Sequence, residues 1–196
     1  MNKTGIWVVA LYGLFAIGNL TYAAPDVLEV CTGCHGENGS GAAGDNVPII
    51  SGTPAAHLEE ALYAYQDGAR QCVEEPIMCE EAAGLSATDI VELAEHFSAM
   101  SRIQAGEQPD AALVEIGERL HTEHCAKCHV LPDDENAEYA LGIPLQGQRS
   151  AYLKLTFDAY QSGDRETLVP EMARKLELLS ADDIDALINY YSSYQL

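Results

Sequence analysis

The sequence predicts an all-α protein made of two tandem copies of one helical unit. The first observation is an internal repeat. The segment "HLEEALYAYQDGAR" (57–70) aligns with "YLKLTFDAYQSGDR" (152–165) at an offset of 95, with six of 14 positions identical. Further on, "LSATDIVELAEHF" (85–97) aligns with "LSADDIDALINYY" (179–191) at an offset of 94, with six of 13 identical. The second observation is apolar spacing at helical period: Ile90, Leu93, Ala94 and Phe97, then Ile184, Leu187, Ile188 and Tyr191. The third is that no convincing alternating strand pattern occurs. A unit of about 90 residues present twice is a duplicated domain, because solenoid repeats are shorter and more numerous.

The elements follow in order. Residues 26–34 read as a short helix and 111–127 as its partner. Residues 54–67 and 150–161 form the middle helices, each stopped by a glycine, Gly68 and Gly163. Ser86-x-x-Asp89 and Ser180-x-x-Asp183 resemble capping boxes that open the last helices. The segment "SRIQAGEQPD" (101–110), with glycine and proline, reads as a linker between a first domain, 24–100, and a second, 111–196.

The N-terminus stands apart. Lys3, the apolar run 6–20 and "TYAAP" read as a secretory signal cut after Ala23, with Thr21 and Ala23 as the small residues at the cleavage site. The alternative is a retained anchor. The shortness of the run and its Gly13, Gly18 and Asn19 favour the signal, and with it a periplasmic destination. The formal charge of the chain is −21. Losing residues 1–23 removes one lysine and no acid, which makes it more negative still. Nucleic acid and anionic membrane are poor partners for such a surface. The acidity means either heavy solvation, as in high salt, or steering toward a basic redox partner.

Two short runs carry the chemistry: "CTGCH" (31–35) and "CAKCH" (125–129). Two thiols about one helical turn apart, with an imidazole directly behind, suit thioether attachment of a haem and ligation of its iron. A zinc site wants a second Cys or His pair nearby, and a redox disulfide wants a strand–helix context. Neither is evident. Two such runs in an exported, duplicated helical chain point to two covalent haem c groups, bound through Cys31, Cys34, Cys125 and Cys128, with His35 and His129 on iron.

A soft thioether opposite the histidine favours Fe(II) and raises the potential. Of the four methionines, Met78 and Met172 lie 94 apart, each 43 residues after its histidine. They are the expected sixth ligands. His57, His96, His121 and His124 have no histidine at their repeat counterparts and read as surface or packing residues. With both axial positions filled there is no open site for substrate, and no other catalytic constellation is evident. The function expected is electron transfer without catalysis. Cys72 and Cys79 flank Met78, while the second unit has Glu166 and Ala173 there. In an oxidising compartment the pair reads as a disulfide that restrains the Met78 loop. Two free thiols, or a thiol ligand in place of Met78, are the alternatives.

With these motifs in hand, the chain resembles the diheme cytochrome c4 family. The runs "GERLHTEHCAKCHV" and "LGIPLQGQRSAYLKLTFDAYQSGDR" also resemble the cytochrome subunit of flavocytochrome c sulfide dehydrogenase. The resemblance implies two class I cytochrome c domains packed about a pseudo-twofold axis with haem edges close together. It implies that the carbonyls of Pro48 and Pro144 hold the proximal histidines. It places Arg70 and Arg165 near the haem propionates and Tyr65 and Tyr160 against the haems. It also implies redox protein partners, with a flavoprotein subunit or a terminal oxidase as the two candidates. The acidic, cysteine-bearing Met78 loop departs from the Met-rich loop of cytochrome c4.

Overall fold

The computed structural model describes residues 27–73 and 76–195; the signal segment expected at 1–23 lies outside them. Among the described residues, eight α-helices fall into two matching sets of four. The first set is α1 (Val27–His35), α2 (Ala55–Gln66), α3 (Ile77–Ala83) and α4 (Ala87–Ser98). The second is α5 (Ala111–His124), α6 (Ser150–Ser162), α7 (Pro170–Leu176) and α8 (Ala181–Ser193), with a 3-10 turn at Ala137–Tyr139.

Both last helices open on full capping boxes. The hydroxyl of Ser86 accepts from the Asp89 N–H and the Asp89 carboxylate accepts from the Ser86 N–H; Ser180 and Asp183 repeat the pattern. Their apolar stripes are then aimed inward. Ile90, Leu93, Ala94 and Phe97 are buried in the first unit. In the second, Ile184, Leu187, Ile188 and Tyr191 join Leu153 of α6 in one cluster. The middle helices stop as expected, with Gly68 at φ 77° and Gly163 at φ 84°, where a side chain would be strained. One boundary differs. The helix expected to run to Lys127 ends at His124, because the N–H of Ala126 reaches back five residues to the His121 carbonyl and unwinds the last turn.

The two units meet through equivalent residues. Arg70 and Arg165 form an isolated antiparallel bridge. The Gln71 N–H donates to the Asp164 carbonyl and the Glu166 N–H to the Ala69 carbonyl, both at 2.7 Å. An antiparallel bridge between repeat-equivalent residues requires a local twofold axis. Beside it, the Gln148 amide accepts from the Ile49 N–H and donates to the Ile49 carbonyl, both at 2.9 Å, extending the seam with a buried side chain.

The stretch 101–110 is not a loose tether. Arg102 donates to the carbonyls of Pro144 and Gln146, the Ile103 N–H to the Ser51 hydroxyl, and the Ala105 N–H to the Gly147 carbonyl. It is stitched into both units, which restricts their relative motion.

His121 is a buried packing residue, 4% exposed, with Nδ1 3.2 Å from the Tyr191 hydroxyl. Burial pushes its pKa down to about 4 from the ordinary 6.5. The unfolded chain therefore binds the extra proton first. Stability is expected to be full above pH 6.5 and to fall as pH drops from about 6.5 toward 4, by up to about 3 kcal/mol from this group. Urea midpoints measured at pH 7 and pH 4.5 check this. His121→Leu should flatten the dependence.

Candidate functional site

α1 carries Cys31, Cys34 and His35 along one short stretch, and the turn after α5 carries Cys125, Cys128 and His129. Each imidazole is held from behind. His35 Nδ1 lies 3.2 Å from the Pro48 carbonyl, and His129 Nδ1 lies 2.8 Å from the Ile143 carbonyl. A carbonyl can only accept, so each Nδ1 carries the hydrogen and each Nε2 is left with its lone pair. Burial pushes both histidines below their ordinary range, with the carbonyl opposing, so both rings are neutral at pH 7. A neutral ring with a fixed Nδ1–H is a ligand-ready ring.

The second acceptor corrects the expectation for Pro144. Its carbonyl is occupied by Arg102 at 3.2 Å, and the preceding carbonyl of Ile143 takes the histidine instead. The second loop has two more residues between histidine and proline than the first, so the proline is displaced past the ring. Gly142 allows the approach: a Cβ there would lie 2.6 Å from the His129 ring.

Both histidines line one continuous cavity of about 560 Å³ that crosses the seam. All four cysteines of the two runs, Met78 and Met172 line the same cavity. Met78 sits in α3 and Met172 in α7, two seven-residue helices each started at a proline, Pro76 and Pro170. Gln66, at the end of α2, donates to the carbonyls of Ala82 and Leu85 at the far end of α3 and so fixes the Met78 helix against the cavity. The walls are apolar side chains such as Leu58, Leu93, Phe97, Leu153, Phe157 and Leu187.

The cysteines of the two runs are unbonded to one another. No group of three or more His, Cys, Asp or Glu converges on a metal position among the described residues. Before haem attachment, burial pushes the Cys31 and Cys125 thiols up. Cys72 and Cys79 are joined as a disulfide around the Met78 loop, with Cα atoms 6.0 Å apart. Replacing both by serine removes a short covalent loop. The chain-entropy relation gives a cost of about 2.5 kcal/mol for eight residues. Denaturant unfolding of the double variant checks the figure, and an unchanged midpoint would refute the bracing role.

Arg70 and Arg165 lie at the seam and line the cavity. Their guanidinium carbons sit 5.2 Å and 4.6 Å from the ring centres of Tyr65 and Tyr160. Neither arginine has an ion-pair partner among the described residues. Two guanidinium groups gathered at the seam with no carboxylate paired to them favour an occupant that supplies one. A haem fits every part of this arrangement: thiols for its vinyl groups, imidazole and thioether for iron, apolar walls for the ring, and cations for its two carboxylates.

The four remaining histidines divide. His121 and His96 lie outside the cavity lining, whereas His124 and His57 line it. The sequence alone reads His57 as a surface or packing residue. The signal that could have found it is its alignment with Tyr152, a position facing the same cavity from the other unit.

No family model matches the chain. It is 37% identical over 76 residues to cytochrome c-554(548) of Halomonas halodenitrificans, covering 39% of this chain and 90% of that protein. It is 26% identical to cytochrome c4 of Azotobacter vinelandii over 215 aligned positions, covering 97% of this chain and 98% of that protein. The chain belongs to the diheme cytochrome c4-like family. Its fold matches the cytochrome c4 structure from Acidithiobacillus ferrooxidans with a TM-score of 0.70 at 23% identity, over 85% of this chain and 99% of that one. This cytochrome carries two covalently bound haem c groups and acts as an electron carrier. Among the described residues, no helix is long and apolar enough to cross a membrane.

Proposed function

We propose that this cytochrome is a periplasmic relay in which Cys31, Cys34, His35 and Met78 hold one haem and Cys125, Cys128, His129 and Met172 hold the other. The two sites correspond to domains at 24–100 and 111–196, with 101–110 between them. The observation that carries the reading is the cavity: both Cys-x-x-Cys-His runs and both repeat-matched methionines line one apolar space across a twofold seam. A bound haem iron supplies one-electron chemistry, Fe(III) to Fe(II) and back.

The chain's own residues set the conditions. The Pro48 and Ile143 carbonyls lock the imidazoles in one tautomer. The apolar walls keep water from the ring and favour the less charged, reduced state. Arg70 and Arg165 neutralise carboxylates at the seam. The disulfide and Gln66 restrain the Met78 helix. Two sites in one body let a donor dock at one end and an acceptor at the other. The partners are redox proteins, and the acidic surface suits a basic docking face.

The test is haem stoichiometry followed by redox titration. The reading requires two covalently attached haems per chain, two one-electron waves, and a methionine–iron charge-transfer band for each oxidised haem. Any count other than two per chain overturns it. A flavin subunit that co-purifies would place the chain in a flavoenzyme complex. A stable flavin-free protein rapidly reoxidised by a terminal oxidase would place it as a free carrier.

A further inference from the structure

His57 is a polar side chain of this cavity that no role above explains. It lies in α2 of the first unit and its side chain is 9% exposed. Its Nε2 is buried and has no hydrogen-bond partner. A buried, unpaired ring nitrogen costs free energy on the scale of a lost hydrogen bond, so an isolated one facing a cavity implies an occupant that satisfies it. The other ring nitrogen is not its equal: Nδ1 faces the Glu60 carboxylate at 3.8 Å, which attracts a charged ring without a made hydrogen bond.

The direction of the ring can be read from its neighbours. The Ala140 carbonyl, in the second unit's loop that leads to Ile143, is a hydrogen-bond acceptor beside the His57 ring, too poorly placed to satisfy Nε2, and His57 in turn acts on His129. A residue of the first unit thus stands beside the proximal side of the second site. Its repeat counterpart, Tyr152, is directed elsewhere, toward Arg70 and Arg165. The haem periphery is otherwise hydrocarbon, and its two carboxylates are the groups there that accept hydrogen bonds.

We propose that His57 is a cross-unit positioning residue whose Nε2–H hydrogen-bonds a carboxylate of the haem held by the second unit. It would then make the second site incomplete without the first, and it would set the two haems apart in potential. The inference rests on the haem reading above. A donor on a haem carboxylate damps the negative charge that stabilises Fe(III), so losing it favours the oxidised state of that haem.

The test compares His57→Phe, which keeps the ring and removes the N–H, with His57→Gln, which keeps a donor, in the full-length, haem-loaded protein. Redox titration with NMR of the haem methyl groups assigns each midpoint to its haem. In His57→Phe the second haem's oxidised-to-reduced ratio at fixed ambient potential should rise roughly three- to tenfold, as one charge-assisted hydrogen bond requires. Tenfold corresponds to about 59 mV for a one-electron couple. His57→Gln should recover most of the shift, and the first haem should hold its midpoint in both variants. Unchanged midpoints in His57→Phe would show a packing residue and overturn the proposal. An equal shift of both haems accompanied by a lower melting temperature would show loss of domain docking and also overturn it. A haem count other than two in the unsubstituted protein overturns the underlying reading, and this proposal with it.

Discussion

Met172→Ala is expected to open one of the two haems to carbon monoxide. The ferrous wild-type protein should bind none rapidly. The variant should bind one molecule per chain, because the haem facing α7 loses its thioether while the other keeps Met78. The midpoint of that haem should fall by on the order of 100 mV, a fraction of the ~0.8 V that axial ligands span, since a soft thioether favours Fe(II). Gas titration with optical spectra measures both. Met78→Ala is the matching experiment on the first unit. There the disulfide and Gln66 hold the rest of α3 in place, so the opened site should stay structurally intact. A variant spectrum indifferent to the gas would remove Met172 from the iron.

Gly117→Ala should destabilise the second unit by about 3 kcal/mol, the upper range for forcing one methyl into a packed interface. Gly117 lies where α5 crosses α8. An added Cβ would sit 2.1 Å from the Ala186 carbonyl oxygen and 2.7 Å from the Tyr190 Cβ. A helix backbone cannot yield locally, so the clash pries α5 away from the cluster around Ile188 and Tyr191. The intrinsic preference of a helix for alanine over glycine, about 1 kcal/mol, is too small to compensate. Gly33→Ala is the control. Gly33 lies in α1 with open space around its Cα, so that substitution should be neutral or stabilising by up to about 1 kcal/mol. Thermal melts should fall clearly for Gly117→Ala and hold or rise for Gly33→Ala. A Gly117→Ala protein as stable as wild type would mean that α5 and α8 do not cross in close contact at this position.

Much of this molecule is written in local pattern. The 94- and 95-residue offsets declare the duplication. The serine–aspartate boxes and helical apolar spacing place α4 and α8 and aim their buried faces. The family follows from motifs only five residues long, because tethering a haem demands two thiols and an imidazole in a fixed short arrangement that few other chemistries use. What local pattern does not encode is which atoms meet across the repeat. Pro144 looked like the partner of His129. Two extra loop residues moved it past the ring, where Arg102 took its carbonyl and Ile143 took the histidine. The stretch 101–110 reads as a spacer from its glycine and proline, yet its backbone and Arg102 bond to both units.

His57 shows the limit most directly. Histidine carries no periodic signal, and the repeat supplies tyrosine at the matching place, so the alignment marks a shared aromatic position without saying that the ring is buried. Its role depends on the twofold seam, which brings a helix of one unit against the His129 loop of the other. The seam itself rests on backbone hydrogen bonds between Ala69, Gln71, Asp164 and Glu166, and any residue type can make those. By itself, then, the sequence determined the repeat, the helices, the two Cys-x-x-Cys-His motifs and the matched spacing of a methionine after each histidine, because these are matters of residue type and spacing. Only the tertiary structure decided which carbonyls orient the histidines, which cations face the cavity, and how the two units close upon it. Those depend on loop lengths and on backbone groups that every residue shares.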